Sequence, residues 1–391
     1  MRNLRLSIVD AFDARHTIAN EERGTSVRAQ PTLLMLCSFA TLVVLLTSPA
    51  FSNESSEHPE NAFDSEKAIK HNHYWIVSSR SCPQRLCDVR STVKLGYTEC
   101  CPSSGNRQLK TVSEFRKSFD PTRPICIFIH GSFFSNQDAI NDARMTERWL
   151  RKADPERRLQ VVYYTWPSEG RYSFVSNNPL TSPVPQIDVG ILGRRAEFNG
   201  FYLAQLIASL PSKSQISLVG HSHGTRVTSS ALHLLAGGCV QGRSLPVSND
   251  PTQRIRVVLA AAAIDHDWLN PGERYGLALW RADQLVSMRN HLDAVISIYP
   301  LRRPFSGFAL GQVGFRRNDI ARMGELAVRV SEIDASPMIA YRHFWRHYLR
   351  FPELAQSIAP FVLFSDLNVE GDVVSSHKKS PVFEENTRLG K

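Results

Sequence analysis

A serine between two glycines is the feature of this sequence with the clearest chemical potential. Gly220, Ser222 and Gly224 form the pattern G-x-S-x-G, between an apolar run typical of a strand and a segment typical of a helix. A serine held at such a turn exposes its hydroxyl, and the small flanking residues leave room for the neighbouring strand and helix. The pattern therefore predicts a nucleophilic serine, although a glycine-rich turn with a polar serine has the same spacing.

A serine hydroxyl becomes a useful nucleophile only when a base takes its proton and an acid orients that base. In doubly wound hydrolases the acid and then the histidine follow the serine, from loops at the carboxyl ends of strands. Asp293 lies directly beyond the predicted strand 284–288 and is the favoured acid. It would also suit a helix N-cap. Asp265 and Asp267, which follow the preceding predicted strand, are the alternative acids.

Two histidines follow the last predicted strand, which covers residues 326–330. His343 is favoured as the base because it lies in the loop or first turn before the predicted final helix, 344–363. His347 is the second choice, and the two side chains would share one face if the helix has already begun. Either could instead be an interfacial histidine of that helix.

The intermediate of acyl transfer needs two donors for its oxyanion. The amide of His223, directly after the serine, is the first candidate. Gly131 follows the predicted strand 125–129 and allows the backbone to turn over the site, so the amide of Ser132 is the second candidate. An ordinary strand-end turn is the other interpretation of that glycine. The ring of His223 should shape the site rather than reach the serine hydroxyl.

Strands and helical segments alternate from residue 124 onward, and this pattern predicts an α/β fold with a doubly wound, mostly parallel sheet. Two earlier strands, 73–78 and 92–97, should begin the sheet and could be antiparallel edge strands. The remaining predicted strands are 125–129, 159–165, 215–219, 256–262, 284–288 and 326–330. Helices are expected over 137–152, 194–210, 225–236 and 344–363, and long loops over 171–193 and 300–324.

Four segments occur in an order that is more specific than any one of them. They are Phe128-Ile129-His130-Gly131, Thr165-Trp166-Pro167-Ser168-Glu169-Gly170, Val219-Gly220-His221-Ser222-His223-Gly224 and Ala261-Ala262-Ala263-Ile264-Asp265. This set resembles the bacterial esterase/lipase-like α/β hydrolases, many of them uncharacterised. The resemblance covers about residues 125–361.

That resemblance implies the α/β-hydrolase fold and a triad of Ser222, Asp293 and His343. Two departures from the family pattern stand out. His223 occupies a position where methionine is common, and Ala262-Ala263 replaces Pro-Asp. The second departure weakens a catalytic role for the strand end at 261–265 and leaves Asp293 favoured.

The chain has 391 residues and a formal charge of +9, with 42% apolar residues, so it can bury a large core. Arginine is spread along the whole chain rather than clustered, which argues against a nucleic-acid groove. A basic surface also permits weak attraction to an anionic surface. The expected partner is a small-molecule or lipid-like ester.

An apolar run over residues 32–47 predicts a signal peptide or, alternatively, a membrane anchor. The domain prediction is a leader over 1–50, a disordered linker over 51–72, one hydrolase domain over 73–365 and a disordered tail over 366–391. Either form of the leader predicts export to the periplasm, the cell surface or the medium. Export makes disulfides the natural interpretation of the six cysteines that follow the apolar run. They are Cys82, Cys87, Cys100, Cys101, Cys126 and Cys239.

Together these patterns predict an exported serine hydrolase that cleaves a carboxylic ester without a metal ion or organic cofactor. One alternative is a non-catalytic hydrolase-fold module that binds a surface ligand. Another is an acyltransferase that uses the same triad.

Overall fold

A computed structural model describes residues 73–84, 94–156, 158–169, 185–245, 251–302 and 306–365. The predicted leader, linker and tail lie outside these residues, as do residues 171–184 of the first predicted long loop. The predictions for those segments therefore remain predictions.

The strands of the described residues form one sheet with the order β3-β2-β1-β5-β4-β6-β7-β8-β9. All pairs from β1 to β9 in that order are parallel, and β2 and β3 add antiparallel pairs at one edge. The expected mostly parallel, doubly wound sheet is confirmed. The strands are β1 (Tyr74–Ser78), β2 (Gly96–Cys100), β3 (Arg107–Lys110), β4 (Ile125–Ile129), β5 (Gln160–Thr165), β6 (Gln215–His221), β7 (Arg254–Ala260), β8 (Gln284–Arg289) and β9 (Val330–Asp334).

Helices cover both faces of the sheet, and several follow a strand directly. They are α1 (Val112–Lys117), α2 (Asn136–Ala153), α3 (Pro185–Ala208), α4 (His223–Leu235), α5 (Ala278–Arg281), α6 (Leu310–Val313), α7 (Arg317–Met323), α8 (Ser336–Ile339), α9 (Trp345–Tyr348), α10 (Pro352–Ser357) and α11 (Ala359–Leu363). Two 3₁₀ helices cover Ile296–Arg302 and Gly324–Arg329.

The central strands are buried on both faces, and side chains alternate between two apolar cores. Along β4, Ile125, Ile127 and Ile129 join the core under α3 and α4, whereas Cys126 and Phe128 join the core under α2 and the C-terminal helices. This continuous burial explains the uninterrupted apolar sequence of β4. The carboxyl ends of the parallel strands consequently meet at one edge of the sheet, where the candidate site lies.

The C-terminal part differs from the expectation in two places. The apolar run at 326–330 is not the last strand, because most of it forms the 3₁₀ helix Gly324–Arg329, and β9 begins only at Val330. The single final helix is wrong as well, since α9, α10 and α11 replace it. Pro352 and Pro360 lie in the first turns of α10 and α11, where their missing amide donors are tolerated but would break a continuous helix.

The N-terminal strands also differ in detail. The predicted strand 92–97 is displaced toward β2 (Gly96–Cys100), and the edge strand β3 was not predicted from its charged sequence. The strand β1 is not an edge strand, because it pairs with β5 on its other side. Within 185–193, helix α3 replaces the predicted loop.

The cysteines in the described part of the chain are free thiols, so the expected disulfides are not formed among Cys82, Cys100, Cys101, Cys126 and Cys239. Cys87 lies outside the described residues. Over the described ranges, no helix has the length and apolar character needed to cross a membrane. In the same ranges, no three histidine, cysteine or acidic side chains form a group that could hold a metal ion.

Candidate active site

Ser222 lies at the sharp turn between β6 and α4, with φ 51° and ψ −124°. A non-glycine residue with positive φ is strained and is held there by its surroundings. The Ser222 amide donates to the carbonyl of Ala260 at 3.0 Å, which anchors the turn to β7. Gly224 permits the close approach of α4 to β4, because a Cβ at this position would lie 2.2 Å from the carbonyl oxygen of Ile129.

The structure brings Ser222, Asp293 and His343 into one hydrogen-bonded chain. His343 Nε2 lies 3.0 Å from the Oγ of Ser222, and His343 Nδ1 lies 2.7 Å from Oδ2 of Asp293. These residues are separated by 50 and 121 positions in the sequence, yet all three side chains are buried. A serine, a base and an orienting acid in this order form the arrangement that activates a hydroxyl for attack.

Asp293 is completely buried and both of its oxygens are used. Oδ1 accepts the backbone amides of Val295 and Ile296 at 2.9 and 3.0 Å, while Oδ2 faces His343. The N-cap geometry suggested by the sequence and the orienting contact therefore belong to the same carboxylate. Its orientation is fixed by the backbone before any substrate binds.

Asn290 holds the loop of Asp293 against the loop of His343. Its Nδ2 donates to the carbonyl oxygens of Ala340 and Arg342 at 2.7 and 3.2 Å, and its Oδ1 accepts the amide of Leu292 at 3.1 Å. Sequence reasoning missed this residue, although its position between β8 and Asp293 was a usable signal. The contact fixes the distance between the two loops that carry the acid and the base.

The alternative acid and base lie elsewhere. Asp265 is buried and accepts hydrogen bonds from the Tyr299 hydroxyl at 2.9 Å and from the Gly307 amide at 3.2 Å. His347 is half-buried on α9, one turn beyond His343. Neither residue has a hydrogen bond to Ser222 among the contacts of the described residues.

The two candidate oxyanion donors are held together by their side chains. Ser132 Oγ lies 2.6 Å from Nδ1 of His223. His223 is the first residue of α4, where amides have no acceptor within the helix. On the other side, Phe133 has φ 67°, and its amide donates to the Ser168 carbonyl at 2.8 Å. The loop after β4 is thus bent directly beside the serine turn.

The Trp-Pro-Ser corner after β5 supports that bent loop. Trp166 Nε1 donates to the carbonyl of His130 at 2.9 Å, and the two rings stack with centroids 5.8 Å apart. Burial, together with the nearby Arg80 charge, lowers the pKa of His130 to about 3, so its ring is neutral near pH 7. In the sequence this segment was notable only as part of the resemblance to the hydrolase family.

His221 contacts the backbone of His343 and helps to hold that residue in place. Its Nε2 donates to the backbone carbonyl of His343 at 2.9 Å. Burial lowers the pKa of His221 to about 3, with a further contribution from His343, so this ring also stays neutral.

A cavity of about 350 Å³ opens beside the candidate oxyanion residue Ser132 and beside Phe344, the residue that follows His343. Aromatic and polar side chains both contribute to its wall. It is lined by Ser132, Phe133, Phe134, Asp138, Asn141, Asp142, Met145, Phe344, Trp345 and Arg346. A small organic molecule of mixed polarity fits such a wall.

Comparison with known proteins agrees with this architecture. Residues 107–272 match the model of a family described as "Alpha/beta hydrolase of unknown function (DUF900)". The chain has an α/β-hydrolase fold. The match covers less than half of the chain; it includes Ser222 but ends before Asp293 and His343.

Solved structures with lower similarity include a lipase/esterase from Lactobacillus plantarum. It is 14% identical, with 71% of this chain and 97% of that chain covered and a TM-score of 0.28. An acetyl xylan esterase is also 14% identical, with 62% and 96% covered and a TM-score of 0.26. Scores this low do not bear on the activity of this protein. No protein of curated function matches the sequence.

Proposed function

We propose that the protein is a serine hydrolase that cleaves a carboxylic ester through an acyl-enzyme. The observation that carries this proposal is the continuous contact from Ser222 Oγ through His343 to Asp293. A buried carboxylate, a histidine and a strained serine are arranged so that each can perform its step.

In the first half-reaction, the Oγ of Ser222 attacks the ester carbonyl and a C–O bond forms. His343 Nε2 takes the serine proton, and Asp293 holds the ring and stabilises its positive charge. The tetrahedral intermediate then expels the alcohol, which receives the proton from His343. The product of this half-reaction is an ester between the acyl group and Ser222.

In the second half-reaction, water attacks the acyl-enzyme while His343 accepts its proton. Collapse of the second intermediate returns that proton to Ser222 and releases the carboxylic acid. The amides of His223 and Ser132 donate to the oxyanion in both intermediates. One such donor contributes on the order of 3 kcal/mol of transition-state stabilisation.

We propose export for this chain on the strength of the apolar run over residues 32–47. Determination of the N-terminus after expression in a bacterial host tests it. Cleavage near residues 50–52, or retention of the protein in the membrane fraction, agrees with export. An N-terminus at Met1 with no membrane association contradicts it.

A panel of p-nitrophenyl esters of increasing acyl length tests the activity. The protein should release p-nitrophenol, and Ser222→Ala should lose at least about a thousandfold in kcat/KM, since the acyl-enzyme can no longer form. Ser297→Ala is the matched control, because within the described residues the Ser297 hydroxyl donates to the Ala294 carbonyl alone. Addition of an alcohol acceptor separates hydrolysis from acyl transfer: a second ester as the main product would make the protein an acyltransferase.

A further inference from the structure

Large apolar side chains are exposed around the candidate active site. Phe133, Leu292 and Tyr341 are 48%, 51% and 57% exposed. Phe133 follows the candidate oxyanion residue Ser132 in the sequence, and Leu292 precedes the proposed acid Asp293. Tyr341 lies two residues before the proposed base His343. Exposed apolar groups in one region, rather than scattered singly, mark an interaction surface.

Two observations place these residues near one another. The amide of Ala294 donates to the Tyr341 carbonyl at 3.2 Å, which places the loop of Leu292 beside the loop of Tyr341. Phe133 shares the wall of the cavity with Met145, which is itself 46% exposed. The cavity therefore opens within the apolar region.

The same face carries positive charge. Residues 341–350 contain Arg342, Arg346 and Arg350 and no aspartate or glutamate. The guanidinium of Arg342 lies over the Tyr341 ring at 5.2 Å, and that of Arg346 lies over the Phe344 ring at 5.5 Å. None of the three arginines belongs to an ion pair among the described residues, whereas seven arginines elsewhere in those residues do. Those seven are Arg80, Arg151, Arg158, Arg254, Arg274, Arg289 and Arg322.

Carboxylates near this face offset only part of that charge. Asp138 lines the same cavity as Arg346 and accepts hydrogen bonds from Ser135 at the start of α2, so it contributes one negative charge. Burial raises the pKa of Asp142 to about 7, so much of this group is uncharged at neutral pH. Glu353, on α10, is the carboxylate that follows the arginines in sequence.

The electrostatic effect of the arginines is visible at His347. Burial, and then the charges of Arg346, Arg350 and Arg342 in that order, together lower the pKa of His347 to about 4. This histidine is therefore neutral at pH 7 and adds no charge of its own. The positive potential of the face comes from the three arginines.

We propose that this basic apolar face, formed by Phe133, Met145, Leu292, Tyr341, Arg342, Arg346 and Arg350, docks on an anionic phospholipid surface. Exposed aromatic and aliphatic groups enter the boundary between headgroups and acyl chains, while arginines pair with anionic headgroups. An arginine stacked on an aromatic ring can pair with a headgroup while the ring contacts the acyl chains. The proposal extends the proposed function, because docking would present the ester bond of a membrane lipid to the opening of the site.

Vesicle binding tests this inference separately from catalysis when it is measured with Ser222→Ala. The full-length chain is mixed with vesicles of phosphatidylcholine alone, or with about a third phosphatidylglycerol, and the bound fraction is measured by sedimentation. We expect stronger binding to the anionic vesicles, with a preference that weakens as salt is added. The leader is the same in every variant, so its contribution cancels in the comparison.

The triple variant Arg342→Gln, Arg346→Gln and Arg350→Gln should lose about a hundredfold in partitioning to the anionic vesicles. Each arginine near an anionic surface contributes roughly a factor of five. Binding to phosphatidylcholine vesicles should change little. The matched control, Arg107→Gln with Arg116→Gln and Lys117→Gln, removes the same charge at the opposite edge of the sheet and should retain binding. Thermal unfolding confirms that each variant is folded.

A second variant, Met145→Gln with Tyr341→Ser, removes apolar area and should weaken binding to both kinds of vesicle. Equal loss in the distant control would show that net charge alone drives binding and would overturn the proposal. Equal binding of wild type and triple variant to anionic vesicles would also overturn it. Stronger, arginine-dependent binding to an acidic polysaccharide than to the vesicles would identify a polyanion partner instead of lipid. If the wild-type protein binds anionic vesicles but shows no esterase activity, the docking face would be supported and the proposed function rejected.

Discussion

Replacement of Asp293 by asparagine should nearly abolish activity while leaving the fold intact. Oδ1 of Asp293 accepts two backbone amides, from Val295 and Ile296, at 2.9 and 3.0 Å. The asparagine oxygen must keep these bonds, because a flipped amide would leave two buried donors unsatisfied at a cost of about 1–3 kcal/mol each. The asparagine NH₂ group therefore faces Nδ1 of His343, only 2.7 Å from the present carboxylate oxygen.

Two donors cannot face each other at that distance, so Nδ1 of His343 must become the acceptor. The ring proton then lies on Nε2, which points at the Ser222 hydroxyl 3.0 Å away. In this tautomer His343 cannot take the serine proton. The loss expected from a misplaced tautomer is about 10⁴-fold in kcat, or roughly 5 kcal/mol of transition-state stabilisation.

The assay is kcat/KM on p-nitrophenyl acetate near pH 7, with thermal unfolding to verify the fold. Asp265→Asn is the matched control, because Asp265 is also buried and accepts hydrogen bonds from Tyr299 and Gly307. It should stay within about tenfold of wild type, since no catalytic contact is changed. If Asp293→Asn kept most of the activity while Asp265→Asn lost it, the acid would be misassigned.

Three further results are expected. His343→Asn should reduce kcat at least about a thousandfold and His347→Asn by less than about tenfold, because of the two rings that of His343 contacts Ser222. Steady-state kinetics that ranked the two variants in the reverse order would contradict the proposed site. Gly224→Ala should lower the free energy of unfolding by about 1–3 kcal/mol, measured by urea denaturation, because its Cβ would overlap the backbone of β4. His130, with its folded pKa lowered from 6.5 to about 3, binds its proton more readily in the unfolded state between these values. Stability should therefore fall as pH decreases through that window, and His130→Gln should remove about 1.4 kcal/mol per pH unit from the slope; an unchanged slope would refute this.

The serine turn and the order of the triad residues could be predicted because they depend on short sequence patterns. Continuous apolar runs such as β4 indicated strands buried on both faces, and Asp293 and His343 followed strands in the expected order. The structure brings these residues together at 3.0 and 2.7 Å. The preference for His343 over His347 rested on where the last helices begin, and the structure starts α9 at Trp345, one residue from the predicted start.

Other features depend on contacts that no local pattern contains. The apolar run at 326–330 resembled a strand, yet it forms a 3₁₀ helix before β9, and Val328 is 80% exposed. Tertiary pairing with β8, rather than apolar content, decides where β9 begins. The role of Trp166 in bracing His130 likewise requires two strands to be neighbours before the contact exists. The charged segment β3 forms a strand because it pairs with the free edge of β2.

Labelling with a fluorophosphonate reports whether the Ser222 hydroxyl is activated. This reagent phosphonylates a serine only when a base has activated its hydroxyl, so the reaction reports the proposed chemistry without knowledge of the substrate. The folded protein should gain one label, peptide mapping should locate it at Ser222, and His343→Asn should prevent it. A folded protein that stays unlabelled, or that is labelled at another serine, would contradict the account.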